Sequence, residues 1–257
     1  MNVVALVKWV PEPQGVPTLG DDHRLVRDGA DGALDPGDEY GLERALQLVE
    51  RDGGEVVAVS MGPEVAAAAV QRALAMGADR GLLVTDDRLR GADTLVTARV
   101  LAAAIRSCGP VDLVLAAVES TDGYSGTLPV AVAELLGFPT VTFATDLDVV
   151  DGVLRADRQT STGTDVVTCQ LPALATVTTG VAEPRYPSLK GVMAAKSKPF
   201  ERLSVADLEG LEDATTQATQ SISAVEPAAE KSGGRVVDAG PDTAKEIADL
   251  LQEARVI

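Results

Sequence analysis

The sequence predicts an α/β fold: a doubly wound, mostly parallel sheet with helices on both faces, followed by a C-terminal arm and helix. Three observations carry this. Short apolar runs alternate with helical patterns at a spacing of roughly 30 residues, the length of one strand–helix–strand unit. The strand candidates are continuous apolar runs rather than in-out alternations, as a parallel sheet buried on both faces requires. Hydrophobic residues make up 46% and charged residues 24% of the 257-residue chain, the balance of an ordinary globular protein.

The elements follow in order. Val3–Val10 is an apolar, Val-rich strand candidate, and Pro11–Leu34, rich in Pro, Gly and Asp, is a long loop. Asp35 can cap a helix with Pro36 at its first position, and Leu42, Ala45, Leu46 and Val49 carry its apolar spacing until Gly53-Gly54 ends it. Glu55–Met61 is the second strand, and Gly62-Pro63 restarts a helix that runs to Gly77. Leu82–Thr85 is a third strand, Thr94–Ile105 a helix, and Val111–Val118 a fourth strand. A loop from Glu119 to Tyr124 leads to a helix around Gly126–Leu136, then a fifth strand at Thr140–Ala144. Leu147–Val153 and Val166–Leu171 read as antiparallel additions around a polar stretch, Arg155–Asp165, and Ala173–Thr178 returns to the sheet. Ser204–Asp207 is a small capping box. Residues 1–208 therefore read as one α/β domain. Residues 209–240, without periodicity, read as an extended arm, and 241–257 as a docking helix with Ile247, Leu250 and Leu251 on its apolar side.

Composition removes whole classes of function. The net charge is −17, which repels phosphate and argues against nucleic acid as a partner, and aromatics are 3%, too few for base-stacking platforms. No apolar run is long enough to span a bilayer, so no membrane insertion is expected, and the N-terminus reads as a strand rather than a signal peptide. The two cysteines, Cys108 and Cys169, do not make a disulfide framework, which points to the cytoplasm. The one histidine, His23, lies in an acidic Gly-rich stretch and reads as a surface residue. No metal site is expected, and no nucleophile motif is present. The pairs Asp21/Asp22 and Asp86/Asp87 read as solvated loop charge.

Ligands of open α/β sheets bind beyond the carboxyl ends of the strands, near the point where strand order reverses. Four segments should converge there: Trp9–Pro13, Asp35–Asp38, Met61–Pro63 and Ala117–Thr127. In the last, Gly123 and Gly126 bring backbone close, Ser120, Thr121, Ser125 and Thr127 add hydroxyls, and a helix start offers free amides to a phosphate. The same pattern also fits a plain strand-to-helix turn, and neither GxGxxG nor a Walker sequence is present. Arg185–Arg202 holds five basic residues (Arg185, Lys190, Lys196, Lys198, Arg202) against one acid, Glu201. It is either a docking site for an anionic partner or charge that balances neighbouring acids.

The segment EPRYPSLKGVMAAKSKP resembles the signature of the electron-transfer flavoprotein beta subunit, and VKWVPEP, LDPGDEYGLERAL, ALAMGADRG and VDLVLAAVESTDGYSGTLPVAVAELLGFP extend the resemblance over most of the chain. The resemblance implies a nucleotide-binding fold of the adenine nucleotide hydrolase type and a heterodimer with an alpha subunit that carries most of a redox FAD. It also implies a structurally bound AMP in this subunit, with no catalytic residue of its own. Electrons would pass from acyl-CoA or other dehydrogenases to a quinone reductase or another acceptor. Carried over by position, the cofactor contacts would be Leu6, Asp35, Pro36, Gly37, Asp38, Met61, Ala117, Val118, Glu119, Ser120, Thr121, Asp122, Gly123, Tyr124, Ser125, Gly126 and Thr127. The partner-docking set would be Glu183, Pro184, Arg185, Tyr186, Leu189, Met193 and Lys196, with Leu189 on the loop that anchors the dehydrogenase.

This chain departs from the family pattern at several positions. Ala117 replaces a common Gly, Ser125-Gly126-Thr127 stands where relatives have TGQ or TAQ, and Pro13 and Gly37 stand where some members place bulky residues near the flavin. Gln159 stands where some carry an acid that steers the flavin domain. The alternatives are a bifurcating NADH-dependent complex with a second FAD, disfavoured by the 119–127 loop, and a free-standing nucleotide-binding module, which would leave the arm without purpose.

Overall fold

The computed structural model describes residues 1–12, 18–27, 31–211, 217–226, 234 and 236–256. Pro13 and much of the predicted arm lie outside the described residues. The chain divides into two compact units, Met1–Ile222 and Ser223–Ile257.

The first unit is built on a nine-stranded sheet. Its strands are β1 (Asn2–Leu6), β4 (Glu55–Met61), β5 (Arg80–Val84), β6 (Leu113–Ala117), β7 (Thr140–Val150), β8 (Val153–Thr160), β9 (Gly163–Gln170), β10 (Ala173–Val177) and β11 (Phe200–Leu203). The order is β11-β5-β4-β1-β6-β10-β7-β8-β9. All neighbours from β11 to β7 are parallel, and β8 and β9 join as an antiparallel hairpin. The order runs outward from β1 through β4 and β5 on one side and begins again at β6 on the other, so the reversal lies between β1 and β6.

Helices α1 (Pro36–Asp52) and α2 (Ala67–Met76) cover one face, where Val3, Ala5, Leu42, Leu74 and Leu115 share a core. Helices α3 (Thr94–Ser107) and α4 (Leu128–Leu136) cover the other, with Val4, Leu6, Val100, Ile105 and Val114. Successive β1 residues are buried on opposite faces, which is why the strands are apolar throughout. The expected doubly wound α/β architecture is therefore the observed one.

Several local expectations are corrected. The run Val3–Val10 is not one strand. After Val7 donates to the Val59 carbonyl, the Lys8 amide turns to the Asp38 carboxylate, 2.8 Å away, and the chain leaves the sheet. It then forms β2 (Trp9–Pro11), which pairs antiparallel with β3 (Gly32–Leu34) inside what the sequence presents as loop. Trp9 and Val10 stay buried in this second element, so the hydropathy pattern does not mark the break. Arg155–Asp165 is not a polar connection but most of the β8–β9 hairpin. Leu154 and Ala156 face inward while Arg155 between them faces water, as one-sided burial permits. Likewise β7 is a single strand. It pairs with β10 up to Ala144 and with β8 from Ala144 onward, with a register shift between Ala144 and Asp146.

Helix α4 begins at Leu128 rather than near Ser125, because Tyr124 (φ 46°) and Gly126 (φ 60°) take left-handed conformations that interrupt a helix. The basic segment is not a loop throughout: it holds a short helix, α5 (Leu189–Ala195), and the edge strand β11. In the second unit, α6 (Thr243–Glu253) is amphipathic, with Ile247 and Leu251 exposed.

Leu42 is fully buried between α1 and the sheet. Leu42→Ala should lower the unfolding free energy by about 2–5 kcal/mol, whereas Leu95→Ala, on a side chain 41% exposed, should stay within roughly 0.5 kcal/mol. Urea denaturation of both variants checks the pair.

Candidate functional site

The carboxyl ends of β1 and β6 meet through a set of buried carboxylates. Asp35 caps α1 and is inaccessible to solvent. One of its oxygens accepts from the Gly37 amide at 2.9 Å, and the other from the Thr121 amide and hydroxyl at 2.7 and 3.0 Å. One turn on, Asp38 accepts the Lys8 amide. Burial, with Asp35 close by, holds the Asp38 carboxyl well above the ordinary aspartate range, against the opposing pull of the Lys8 and Ala117 amides. The start of α1 thus fixes both the end of β1 and the loop after β6.

That loop is held a second time through Asp122, whose side chain is 5% exposed. It accepts from Lys8 Nζ at 2.6 Å and from Arg27, which reaches over from the 18–27 segment. Burial pushes the Asp122 carboxyl up, but the two cations prevail and hold it below the usual range. Lys8 Nζ also donates to Ser120 Oγ at 3.1 Å.

Beside this loop lies an open cleft of about 870 Å³. Gly37, Ala117, Val118 and Glu119 line one side. Phe143, the Arg158–Ser161 hairpin tip and Val177–Thr179 line the other. Phe143 is 44% exposed and holds a left-handed backbone (φ 59°), a conformation that bulky residues adopt where the surroundings impose it. The cleft offers one guanidinium, the hydroxyls of Thr160, Ser161, Thr178 and Thr179, and apolar walls from Val177, Ala117 and Phe143. Such a lining suits a flat ring system with polar edges.

The structure brings Asp35–Asp38 and Ala117–Asp122 together. Leu6, buried, and Met61, half-exposed, end β1 and β4 and do not line the cleft. Gly123, Tyr124, Ser125 and Thr127 are exposed and Gly126 half-exposed on the outer part of the loop. Phe143, Thr160, Ser161 and Val177–Thr179 were missed. The rule that ligands gather beyond strand carboxyl ends, applied to β10 and the parallel part of β7 as to β6, points to Val177–Thr179 and Phe143, whereas Thr160 and Ser161, at the tip of the antiparallel hairpin, carry no such signal.

Glu183, Pro184, Arg185, Tyr186, Leu189, Met193 and Lys196 form a separate region. Tyr186, Leu189 and Met193 are 88%, 80% and 67% exposed. Arg185 turns inward onto Glu43 and Glu50. Lys198 Nζ donates to the carbonyls of Leu74, Gly77 and Ala78, where burial lowers its pKa. Arg202 pairs with Glu64 and lies over the Phe200 ring. Three of the five basic residues are therefore used within the fold, and Lys190 and Lys196 remain exposed.

Among the described residues no helix is long and apolar enough to cross a membrane, and no group of three or more His, Cys, Asp or Glu side chains could hold a metal ion. Cys108 and Cys169 are free thiols.

A family profile for the electron transfer flavoprotein domain matches residues 22–208. The chain is 34% identical to the electron transfer flavoprotein subunit beta of Mycobacterium tuberculosis (strain ATCC 25618 / H37Rv) over 264 residues, covering 100% of this chain and 99% of the relative. The subunit beta of Bacillus subtilis (strain 168) is 36% identical over 260 residues, with 100% of each covered. The caffeyl-CoA reductase-Etf complex subunit CarD of Acetobacterium woodii is 34% identical over 258 residues, covering 98% of this chain and 96% of that one.

Because the raised Asp38 carboxyl binds its proton more tightly in the folded chain, its contribution to stability is fully present below the unfolded aspartate range and is lost as pH rises through the folded value. Asp38→Asn should therefore be more stable than the parent at pH 7, by on the order of 1 kcal/mol, and should lose that advantage below about pH 4. Urea midpoints across pH test this, and a difference that does not change with pH contradicts it.

Proposed function

The chain belongs to the electron transfer flavoprotein family as a beta subunit, and from that premise we propose that it is the non-catalytic half of a heterodimeric electron carrier, completed by an alpha subunit. The observation that carries the reading is the cleft: it abuts the loop locked by Asp35, and its mouth is open for a second chain to close. FAD, shared with the alpha subunit, supplies the one- and two-electron chemistry when bound. Phe143 and Val177 would wall one side of that cofactor, and Arg158 and the threonine hydroxyls would meet its polar edges.

AMP is the structural ligand on the other side of the same loop. Leu6 and Met61, at the ends of β1 and β4, would offer apolar surface to the base, and the loop after β6 would receive the phosphate through amides not already given to Asp35 or the Ser120 carbonyl. The described residues fit this role in kind, since the loop that would cradle the nucleotide is pinned at Thr121 and Asp122 rather than free to collapse. Electrons enter from acyl-CoA or other dehydrogenases, which dock on the exposed Tyr186–Met193 surface, and leave to a quinone reductase or another acceptor. A cytoplasmic setting belongs to the same proposal.

Co-expression with an alpha subunit tests this. A yellow heterodimer that releases one FAD and one AMP on denaturation is expected. Two FADs and no AMP would instead make this the beta subunit of a bifurcating NADH-dependent complex, and a colourless stable monomer would refute a carrier role. In the heterodimer, Leu189→Ala should weaken docking of the dehydrogenase by about 1–3 kcal/mol, the scale of one truncated interface anchor, with flavin content unchanged. Steady-state KM for the dehydrogenase measures it.

A further inference from the structure

Helix α5 exposes Leu189 and Met193 to 80% and 67%, and none of its seven residues is buried. A helix this short does not persist in water by itself, so something outside it must hold it in shape. On its C-terminal side, Lys198 is fastened to the Leu74 carbonyl in the last turn of α2 and to the Gly77 and Ala78 carbonyls just past it. In its middle, Gly191 lies so close to α2 that a Cβ there would come within 2.4 Å of the Ala75 carbonyl oxygen. On its N-terminal side the attachment is Arg185. Its Nε and Nη2 donate to the two oxygens of Glu43 at 2.7 and 2.9 Å, its Nη2 also reaches Glu50 at 3.0 Å, and its backbone amide donates to Glu43 at 3.2 Å.

We propose that Arg185 is a positioning residue for electron transfer: bridging Glu43 and Glu50 of α1, it sets the docking segment Tyr186–Met193 in a binding-ready shape and in a fixed place relative to the cofactor cleft. The inference rests on the reading of that segment as the dehydrogenase-facing surface. Glu43 and Glu50 lie two turns apart on the same side of α1, and the first turn of that helix, at Gly37, lines the cleft. One rigid helix thus connects the cleft to the point from which the docking segment departs. The planar guanidinium fork can serve two carboxylates together, which a lysine ammonium cannot do with the same geometry. Exposed Lys190 and Lys196 beside Leu189 and Met193 fit a partner that offers an apolar socket edged by carboxylates. Ordering the segment before encounter removes that cost from binding.

The test uses the flavin-loaded heterodimer, with an acyl-CoA dehydrogenase of the same organism, reduced by excess acyl-CoA, as the probe. Glu43 is buried, so Arg185→Gln leaves it without its cation and could unfold the chain; Glu50→Gln, at an exposed carboxylate, loosens the clamp without that hazard. Arg185→Gln should raise the KM for the dehydrogenase roughly tenfold and Glu50→Gln by about threefold. In both, kcat should change by less than about twofold, flavin content should stay at the wild-type level, and tryptic cleavage after Lys190 should speed up. Arg185→Lys should recover less than half of the lost affinity. Faster cleavage with an unchanged KM would show a purely structural clamp and overturn the inference, as would a parallel loss of flavin and kcat. If Arg185→Gln does not fold, Glu50→Gln decides alone. A wild-type heterodimer that lacks flavin, or accepts no electrons from the dehydrogenase, refutes the underlying reading instead and is told apart by that control.

Discussion

A carboxylate with no access to water must find its hydrogen bonds inside the protein, and Asp35 finds them only when three separate stretches of chain meet. Its acceptors serve the first turn of α1 and the loop after β6, while its own amide donates to the Lys8 carbonyl at the end of β1. Leaving such a group unsatisfied costs far more than one bond contributes on average. The arrangement is therefore close to all-or-none, and the place where the strand order reverses becomes the place where the backbone is most firmly tied. Asp38 and Asp122 strengthen the same junction from either side, one through the Lys8 amide and the other through its ammonium.

From that junction α1 carries the constraint outward. Leu42, Ala45 and Leu46 bury one side of the helix in the core. Its charged residues hold two other parts of the molecule. Glu43 and Glu50 receive Arg185. Arg44 and Arg51 reach the far end of β7, where they contact the Leu147 and Val149 carbonyls and the carboxylates of Asp146 and Asp148. Isolated surface ion pairs contribute little. The Arg185 pair is multidentate, while Arg44 and Arg51 add backbone-carbonyl bonds to single carboxylate contacts, and together they tie the 185–196 segment and the outer sheet to α1.

The same contrast explains what could be read in the sequence. The parallel sheet and its helices were legible because burial on both faces writes continuous apolar runs, and because Asp35-Pro36 and Gly53 mark the ends of α1 without reference to the rest of the chain. The departure of the chain from β1 at Lys8 was not legible. It is caused by Asp38, thirty residues on, and Trp9 and Val10 remain buried after the turn. The β8–β9 hairpin reads as polar because only one of its faces meets the core. At the site, the half contributed by Asp35–Asp38 and Ala117–Asp122 could be expected from strand ends and glycines. The half contributed by Phe143 and Val177–Thr179 depends on β10 lying between β6 and β7, a sheet order that hydropathy does not reveal.

Charge placement completes the physical picture. A chain of net charge −17 repels most acidic surfaces at long range. Most of the cations in Arg185–Arg202 do not relieve that repulsion, since Arg185, Lys198 and Arg202 are paired with carboxylates or carbonyls of the fold itself. Lys190 and Lys196 remain exposed, one on each side of Met193, next to Leu189. Screening confines their influence to about 8–10 Å at moderate salt, a distance comparable to the length of α5. An acidic partner therefore meets repulsion over much of the surface and local attraction at this helix. Such a pattern selects orientation more than it adds affinity, and it is useful only if the helix already has its shape when the partner arrives. The inward-turned arginine thus spends its charge within the fold, while the outward-turned lysines leave theirs exposed to solvent.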